Sequence, residues 1–303
     1  MNYQKTLKTE VTLNGIGLHS GQPATVVLKP AKPNQGIVFV RSDMEGQPRI
    51  PAHFKNVINT QMATTLGRGQ ISISTVEHLL AALQGAGIDN LLVEVSGPEI
   101  PIMDGSSEPF VAAILSAGIQ SQHQMKSFVI LRKKVEVKIA ERWAVAEPSS
   151  GLEVHASIDF DHPSIGYQVY HYIEGKTKFS ELASARTFGF LKEVEMLKRM
   201  GLARGGSLEN AVVVDEANVL NPGGLRFPDE FARHKVLDAL GDLKLAGLPL
   251  RASIRLHRAG HDLHGQLLAA IFKDSSNYQI VDANYRDDEA ESAPLHAILA
   301  HGW

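Results

Sequence analysis

Two helical stretches about half a chain apart carry the same pattern, and that repetition constrains the fold more than any other feature of these 303 residues. In Arg233-His234-Lys235-Val236-Leu237-Asp238-Ala239-Leu240-Gly241-Asp242, the residues Val236, Leu237 and Leu240, with Leu243 just beyond, gather on one side at helical spacing, while His234, Asp238 and Asp242 fall on the other. In Ser74-Thr75-Val76-Glu77-His78-Leu79-Leu80-Ala81-Ala82-Leu83, the apolar side is Val76, Leu79, Leu80 and Leu83; His78 points away from it and Glu77 lies to one side. Ala86-Gly87 and Ala246-Gly247 end the two helices, and each is followed by a β-rich run, at residues 90–95 and 250–256. The chain therefore reads as an internal repeat, long enough for two domains that each bury a core.

The free faces are where chemistry is expected. An imidazole and a carboxylate one helical turn apart can grip a divalent ion, but two protein ligands make a poor site, so His234 and Asp238 need a third donor. His78 is the evident supplier. The chain has no cysteine, which excludes disulfides, thiolate nucleophiles and cysteine-based zinc sites, so any metal must be held by His and carboxylate. Two His and one Asp leave a coordination position open to water, the pattern of catalytic rather than structural zinc. An outward His-x-x-x-Asp is also common on solvated helices, and spacing alone leaves that alternative open. Glu77 has two readings as well. It is either a general base beside a ligand or the partner of Ser74 in a capping box.

A composition of 44% hydrophobic and 21% charged residues with a formal net charge of -3 describes an ordinary soluble globular protein, and nothing in it points to nucleic acid as a partner. The N-terminal residues lack the apolar core of a signal peptide, and no apolar run approaches the roughly 20 residues of a membrane span. A cytoplasmic protein is expected.

Taken in order, strands are predicted at residues 9–13, 24–28, 37–41 and 70–74, separated by Gly, Pro and Asn turns. Asn14-Gly15-Ile16-Gly17-Leu18-His19-Ser20-Gly21 lacks the glycine spacing of a dinucleotide loop and reads as a tight hairpin, with His19 free to face a site. Residues 97–107 read as a rigid connection into a helix at 108–115. The Gln-rich run 120–124 is the best linker candidate, which divides the chain into domains at 1–123 and 124–303. Strands follow at 128–131, 135–139, 143–147 and 152–159. Helical pattern begins at Phe179, with a second helix around 193–200 and a strand at 211–214. The segment 188–215 has no counterpart in the first half and reads as an insertion. The ligand helix is placed at 229–245, a loop at 258–262, a final helix at 266–272, and a polar, loosely held end from Arg286.

Five runs then carry a resemblance. Ile73-Ser74-Thr75-Val76-Glu77-His78-Leu79, Glu99-Ile100-Pro101-Ile102-Met103-Asp104-Gly105-Ser106, Ser184-Ala185-Arg186-Thr187-Phe188-Gly189-Phe190, Phe231-Ala232-Arg233-His234-Lys235-Val236-Leu237-Asp238 and Ala259-Gly260-His261, in that order, resemble the UDP-3-O-acyl-N-acetylglucosamine deacetylases of lipid A biosynthesis. The likeness extends from Gly15 to about Phe272. It implies an α+β fold of two similar two-layer sandwich domains with the active site between their helix layers. By the same resemblance the zinc ligands are His78, His234 and Asp238, with Fe²⁺ suited to the same donors. Glu77 is the general base, and His261, oriented by Asp242, is the second acid-base group. Thr187 helps hold the oxyanion and Lys235 faces substrate beside the metal. Leu18, His19 and Met62 contact substrate; Phe188, Phe190 and Leu202 wall an acyl passage; Arg142, Phe160 and Arg258 contact the nucleotide.

The substrate so implied is a UDP-linked acylated amino sugar, and the protein is expected to be a monomer that meets a membrane surface only transiently. Two alternatives remain at this point: an amidohydrolase acting on a different N-acyl sugar, and a binding module whose metal is structural.

Overall fold

The computed structural model describes residues 3–282. The polar end expected from Arg286 onward lies outside the described residues. In the first half run β1 (Tyr3–Leu7), β2 (Val11–Ile16), β3 (Pro23–Pro30), β4 (Ile37–Arg41), β5 (Arg49–Pro51), β6 (Val57–Asn59), β7 (Thr65–Arg68), β8 (Ile71–Ile73), α1 (Glu77–Ala86), β9 (Leu91–Val95), α2 (Glu108–Ala117) and β10 (Ile119–Met125). The second half brings β11 (Ser127–Leu131), β12 (Val135–Ile139), β13 (Arg142–Pro148), β14 (Leu152–Phe160), β15 (Gly166–Ile173), α3 (Ser180–Ala183), β16 (Phe188–Phe190), α4 (Leu191–Arg199), β17 (Val212–Val214), α5 (Glu230–Leu243), β18 (Leu250–His257), α6 (His261–Lys273) and β19 (Tyr278–Asp282). The fold is α+β.

The repeat is visible in the strand order. The first sheet runs β2-β3-β9-β4-β5, with β9 antiparallel to β3 and parallel to β4. In the second, β18 takes the place of β9, antiparallel to β13 and parallel to β14, with β12 and β15 outside them. In each half, moreover, the first strand pairs antiparallel with the last, β1 with β10 and β11 with β19. Burial alternates along β9 and β14, so one face of each sheet is packed and the other turned away. The helices α1 and α5, whose leucines supply the packed side, lie against one another as well.

That contact explains why the polar faces of both helices are buried. From Glu77 to Gln84 every residue of α1 is buried, because a sheet covers one side and α5 the other. Gly241 sits at the crossing: a Cβ there would overlap the Glu77 carbonyl, so the two backbones approach as closely as they do only because this residue has no side chain.

Four sequence expectations change. The polar run 120–124 is not a loose linker but part of β10, held by the β1 backbone rather than by side-chain burial. The capping box does not form: Val76 occupies the helix cap without a side-chain bond, and the Ser74 hydroxyl is paired with Thr65 instead. The last helix begins at His261, not at Gln266, because the extended Gly260 accepts from Leu263 N and His264 N and so starts the helix early. Finally, the first half does have a counterpart to the inserted segment. The β6-β7-β8 sheet stands between β5 and α1 where α3, β16, α4 and β17 stand between β15 and α5. Its short strands and polar turns share no sequence pattern with the α4 region, so only position relates them.

Among the described residues, no helix is long and apolar enough to cross a membrane.

Candidate active site and metal centre

The first turn of α1 and the middle of α5 bring three buried side chains together. His234 Nε2 lies 3.2 Å and His78 Nε2 3.6 Å from the same oxygen, Asp238 Oδ1. The helical spacing of His234 and Asp238 sets one pair, and the crossing of the helices adds His78. The donor set fits a divalent ion, for His234 Nδ1 is 3.0 Å from the Ala185 carbonyl, which orients the ring with Nε2 facing the other two donors. Lys235 Nζ meets the second Asp238 oxygen at 2.8 Å. Burial would raise the Asp238 carboxyl, but His234, Lys235 and the imidazole hydrogen bonds outweigh it and hold it well below the usual carboxylate range.

Beside this group lies a second cluster. Glu77 accepts from Thr64 N at 3.0 Å through one oxygen, and its other oxygen is 3.9 Å from His261 Nε2. Burial is the largest influence on Glu77 and raises its pKa, against the opposing His261 and His78 charges. His261 Nδ1 is 2.7 Å from Asp242 Oδ2, which His264 Nδ1 also meets at 2.8 Å; the other Asp242 oxygen accepts from the Thr64 hydroxyl at 2.5 Å. For His261 burial favours the neutral ring, but the Asp242 and Glu77 charges prevail and hold its pKa up at about 10. The same contacts bring Asp242 down to about 2 despite its own burial. The outcome is a protonated imidazole facing the Glu77 carboxyl group across the floor of a cleft.

That cleft opens into a cavity of about 420 Å³ lined at one end by Glu77, His78, Asp238, Lys235 and His261, and along its length by Leu191, Val194, Leu197, Leu208 and Val213. Leu18, His19, Met62, Thr187, Phe188 and Phe190 line it too. The carboxylate of Glu99 fixes the His19 loop by accepting from His19 N and Ser20 N at 2.8 Å each, and also takes the Thr75 hydroxyl. Thr187 is tied to the first half by its N–H to the Gly105 carbonyl at 2.8 Å. Arg226 adds an ion pair to Asp104, and Arg186 a buried one to Glu230. The loop at residues 97–107, read from sequence as a connection, is thus what locks both walls of the cavity.

With this geometry in place, the comparisons are decisive. A family model of the UDP-3-O-acyl N-acetylglycosamine deacetylases matches residues 4–273. The chain belongs to this family. Similar relatives include the UDP-3-O-acyl-N-acetylglucosamine deacetylase of Myxococcus xanthus, 50% identical over 287 residues, covering 94% of this chain and 91% of the relative. The protein of that name from Psychrobacter arcticus is 45% identical, with 99% and 95% covered, and that from Haemophilus influenzae 44%, with 98% and 99% covered.

Within this deacetylase family member, the residues expected at the nucleotide stand apart from this apolar cavity. Arg142, Phe160 and Arg258 line a second cavity of about 360 Å³, which meets the first at Lys235. Arg142 is engaged there by Asp262, at 2.7 and 3.1 Å, and Arg258 Nε donates to the Asp159 carbonyl. Leu202 is not among the lining residues of the apolar cavity, whereas its neighbour Ala203 is. Sequence reasoning missed Thr64, Glu99 and His264. His264 carried one readable signal, a spacing of three from His261; Glu99 opens one of the five runs that carry the resemblance but its role was not legible there, and Thr64 carried no signal.

Proposed function

We propose that this chain hydrolyses the N-acetyl group of UDP-3-O-acyl-N-acetylglucosamine to a free amine and acetate, an early step of lipid A biosynthesis, with Zn²⁺ held by His78, His234 and Asp238. What carries this reading is the convergence of those donors with Glu77 and His261 at a cavity lined mostly by apolar side chains. The bound ion would polarise the amide carbonyl and acidify a water molecule; Fe²⁺ suits the same donors.

Glu77, pinned through one oxygen by Thr64 N, takes the water proton with the other as the water oxygen bonds to the carbonyl carbon. Thr187 stabilises the oxyanion, a role worth about 3 kcal/mol per donor. His261, kept charged by Asp242, gives its Nε2 proton to the amine nitrogen as the carbon–nitrogen bond breaks. Lys235, where the two cavities meet, faces the sugar. The acyl chain runs along Leu191, Val194 and Leu197, past Leu18, His19 and Met62, and the uridine diphosphate lies toward Arg142, Phe160 and Arg258.

The protein works as a cytoplasmic monomer of two domains, 1–123 and 124–303, touching a membrane surface only to meet its acylated substrate. Metal content measured beside deacetylase activity, before and after chelation, tests the reading. Activity and metal should be lost and restored together, and full activity in a metal-free sample would overturn it.

A further inference from the structure

A second set of donor side chains lies on the far side of the second sheet. Along β14, Leu152, Val154, Ala156 and Ile158 are buried on the core side, where α5 packs, which leaves Glu153 and His155 on the opposite face. The neighbouring strand β15 places His171 directly across from His155 in an unbroken antiparallel register. Two adjacent strands therefore present a carboxylate and two imidazoles on one surface, on backbones fixed by their own ladder.

The three are close enough to share one ion. One donor atom from each lies within 4.8 Å of the others. The two rings are stacked with centroids 3.3 Å apart and planes 23° from parallel, and His155 Nε2 is 3.8 Å from Glu153 Oε2. Stacked this closely, the imidazoles cannot both be protonated without strong repulsion. Burial keeps both below the usual histidine value against the opposing pull of the Glu153 carboxylate, so their lone pairs are free at neutral pH. Two cations face the cluster: Lys176 acts on His171, and Arg255 pairs in register with His155 on its other side, though its guanidinium is drawn to Glu147 at 2.8 Å. A stacked histidine pair could also exist for packing alone. Packing does not account for a carboxylate placed two residues from one ring and within reach of both.

We propose that Glu153, His155 and His171 form a second metal site, for a borderline divalent cation such as Zn²⁺, Ni²⁺ or Cu²⁺, on the sheet face opposite the catalytic group. Imidazole nitrogens with one carboxylate select this class of ion, and three protein donors leave a position for water. The site ties the β14–β15 hairpin together and takes no part in the deacetylation.

The test is metal stoichiometry. Protein carrying one equivalent of Zn²⁺ is dialysed against micromolar free Zn²⁺, and the bound ions are counted for wild type, His171→Ala, Glu153→Gln and Asp238→Ala. Wild type should take up a second equivalent. The exposed His171→Ala should fold normally, keep full deacetylase activity and bind the second ion at least tenfold more weakly, since loss even of an outer-sphere partner costs roughly that much. Glu153→Gln should weaken it without abolishing it. Asp238→Ala should lose the first ion and retain the second, so that failure of the catalytic reading and failure of this one appear in different variants. With Cu²⁺ as the probe, nitrogen hyperfine structure from the second ion should be present in wild type and reduced in His171→Ala. A single equivalent on wild type, or an undiminished second ion in His171→Ala, overturns the proposal.

Discussion

The helices α1 and α5 occupy equivalent places in the repeat, yet they carry unequal loads. The first contributes Glu77 and His78 from its opening turn and is apolar from there to Leu83. The second carries His234, Asp238 and Asp242 along successive turns of its buried length. The difference lies in how each set is aimed. On α5, helical spacing alone aligns the three side chains. On α1, the chain leading into the helix does the work: Thr75 is held at a φ of 59°, uncommon for a β-branched residue, with its hydroxyl on Glu99, and the next turn of helix then points Glu77 and His78 at α5. One copy of the repeat thus builds its share of the site from regular structure, and the other from a constrained entry.

The comparison can be broken most severely at the donors supplied by regular structure. Asp238→Ala should remove the ion from the site of His78 and His234 and reduce turnover by well over the roughly 100-fold that loss of an outer-sphere partner can cost, with the helical circular dichroism retained; metal analysis and kinetics together check this. On the α1 side, Glu77→Gln should lower turnover on the order of 10²-fold or more with metal still bound. Near-normal turnover in the metal-loaded variant would remove Glu77 from the chemistry and leave it a packing residue.

The crossing itself comes next. Gly241→Ala must push the Glu77 backbone away from α5, and overpacking of this kind costs about 1 to 3 kcal/mol. A lower denaturation midpoint accompanied by loss of metal affinity is expected; a loss of stability without any loss of affinity would mean that the helix separation does not set the donor geometry.

A subtler effect concerns pH. His261 has its pKa raised from 6.5 to about 10, so its pairing with Asp242 contributes stability that is complete below pH 6.5 and lost as pH rises through 10. Asp242, lowered from 3.8 to about 2, contributes stability present above 3.8 and lost as pH falls through 2. The Asp242→Asn variant should lose both slopes, and the alkaline limb of its activity profile should move to lower pH, since the charged imidazole loses its partner. An unmoved limb would separate His261 from the protonation of the amine.

The smallest expected effect is on chain-length preference. Ala203→Trp should penalise long acyl chains over short ones by about 1 to 3 kcal/mol, while Leu202→Trp, one residue outside the lining, should leave the ratio of kcat/KM values for the two unchanged.

What the sequence made legible follows the same division. His234, Asp238 and Asp242 could be read from helical spacing, because the periodicity that folds α5 is the periodicity that aligns them. His78 could be read because its helix repeats the pattern. The role of His261 came only from family resemblance, and its place at the start of α6 was misjudged because Gly260 opens the helix through backbone acceptors, which residue pattern does not reveal. Thr64, bonded to Asp242 across 178 positions, belongs to a contact that exists only after the halves have met, and Glu99, bonded to His19 across 80, to one that exists only once the first half has folded. Of the β6–β8 segment only the last strand was expected, at residues 70–74, and its place as a counterpart of the other insertion escaped notice because the two correspond in position, not in sequence.

The antiparallel pairing of first and last strands, β1 with β10 and β11 with β19, bears on how the molecule comes into being at the ribosome. Tyr3–Leu7 has no partner until Ile119–Met125 has emerged, and Ser127–Leu131 must likewise await Leu250–His257 on one side and Tyr278–Asp282 on the other. The nascent chain therefore holds an unpaired strand for most of its synthesis, twice in succession, and each half can seal only when its own final strand has left the exit tunnel.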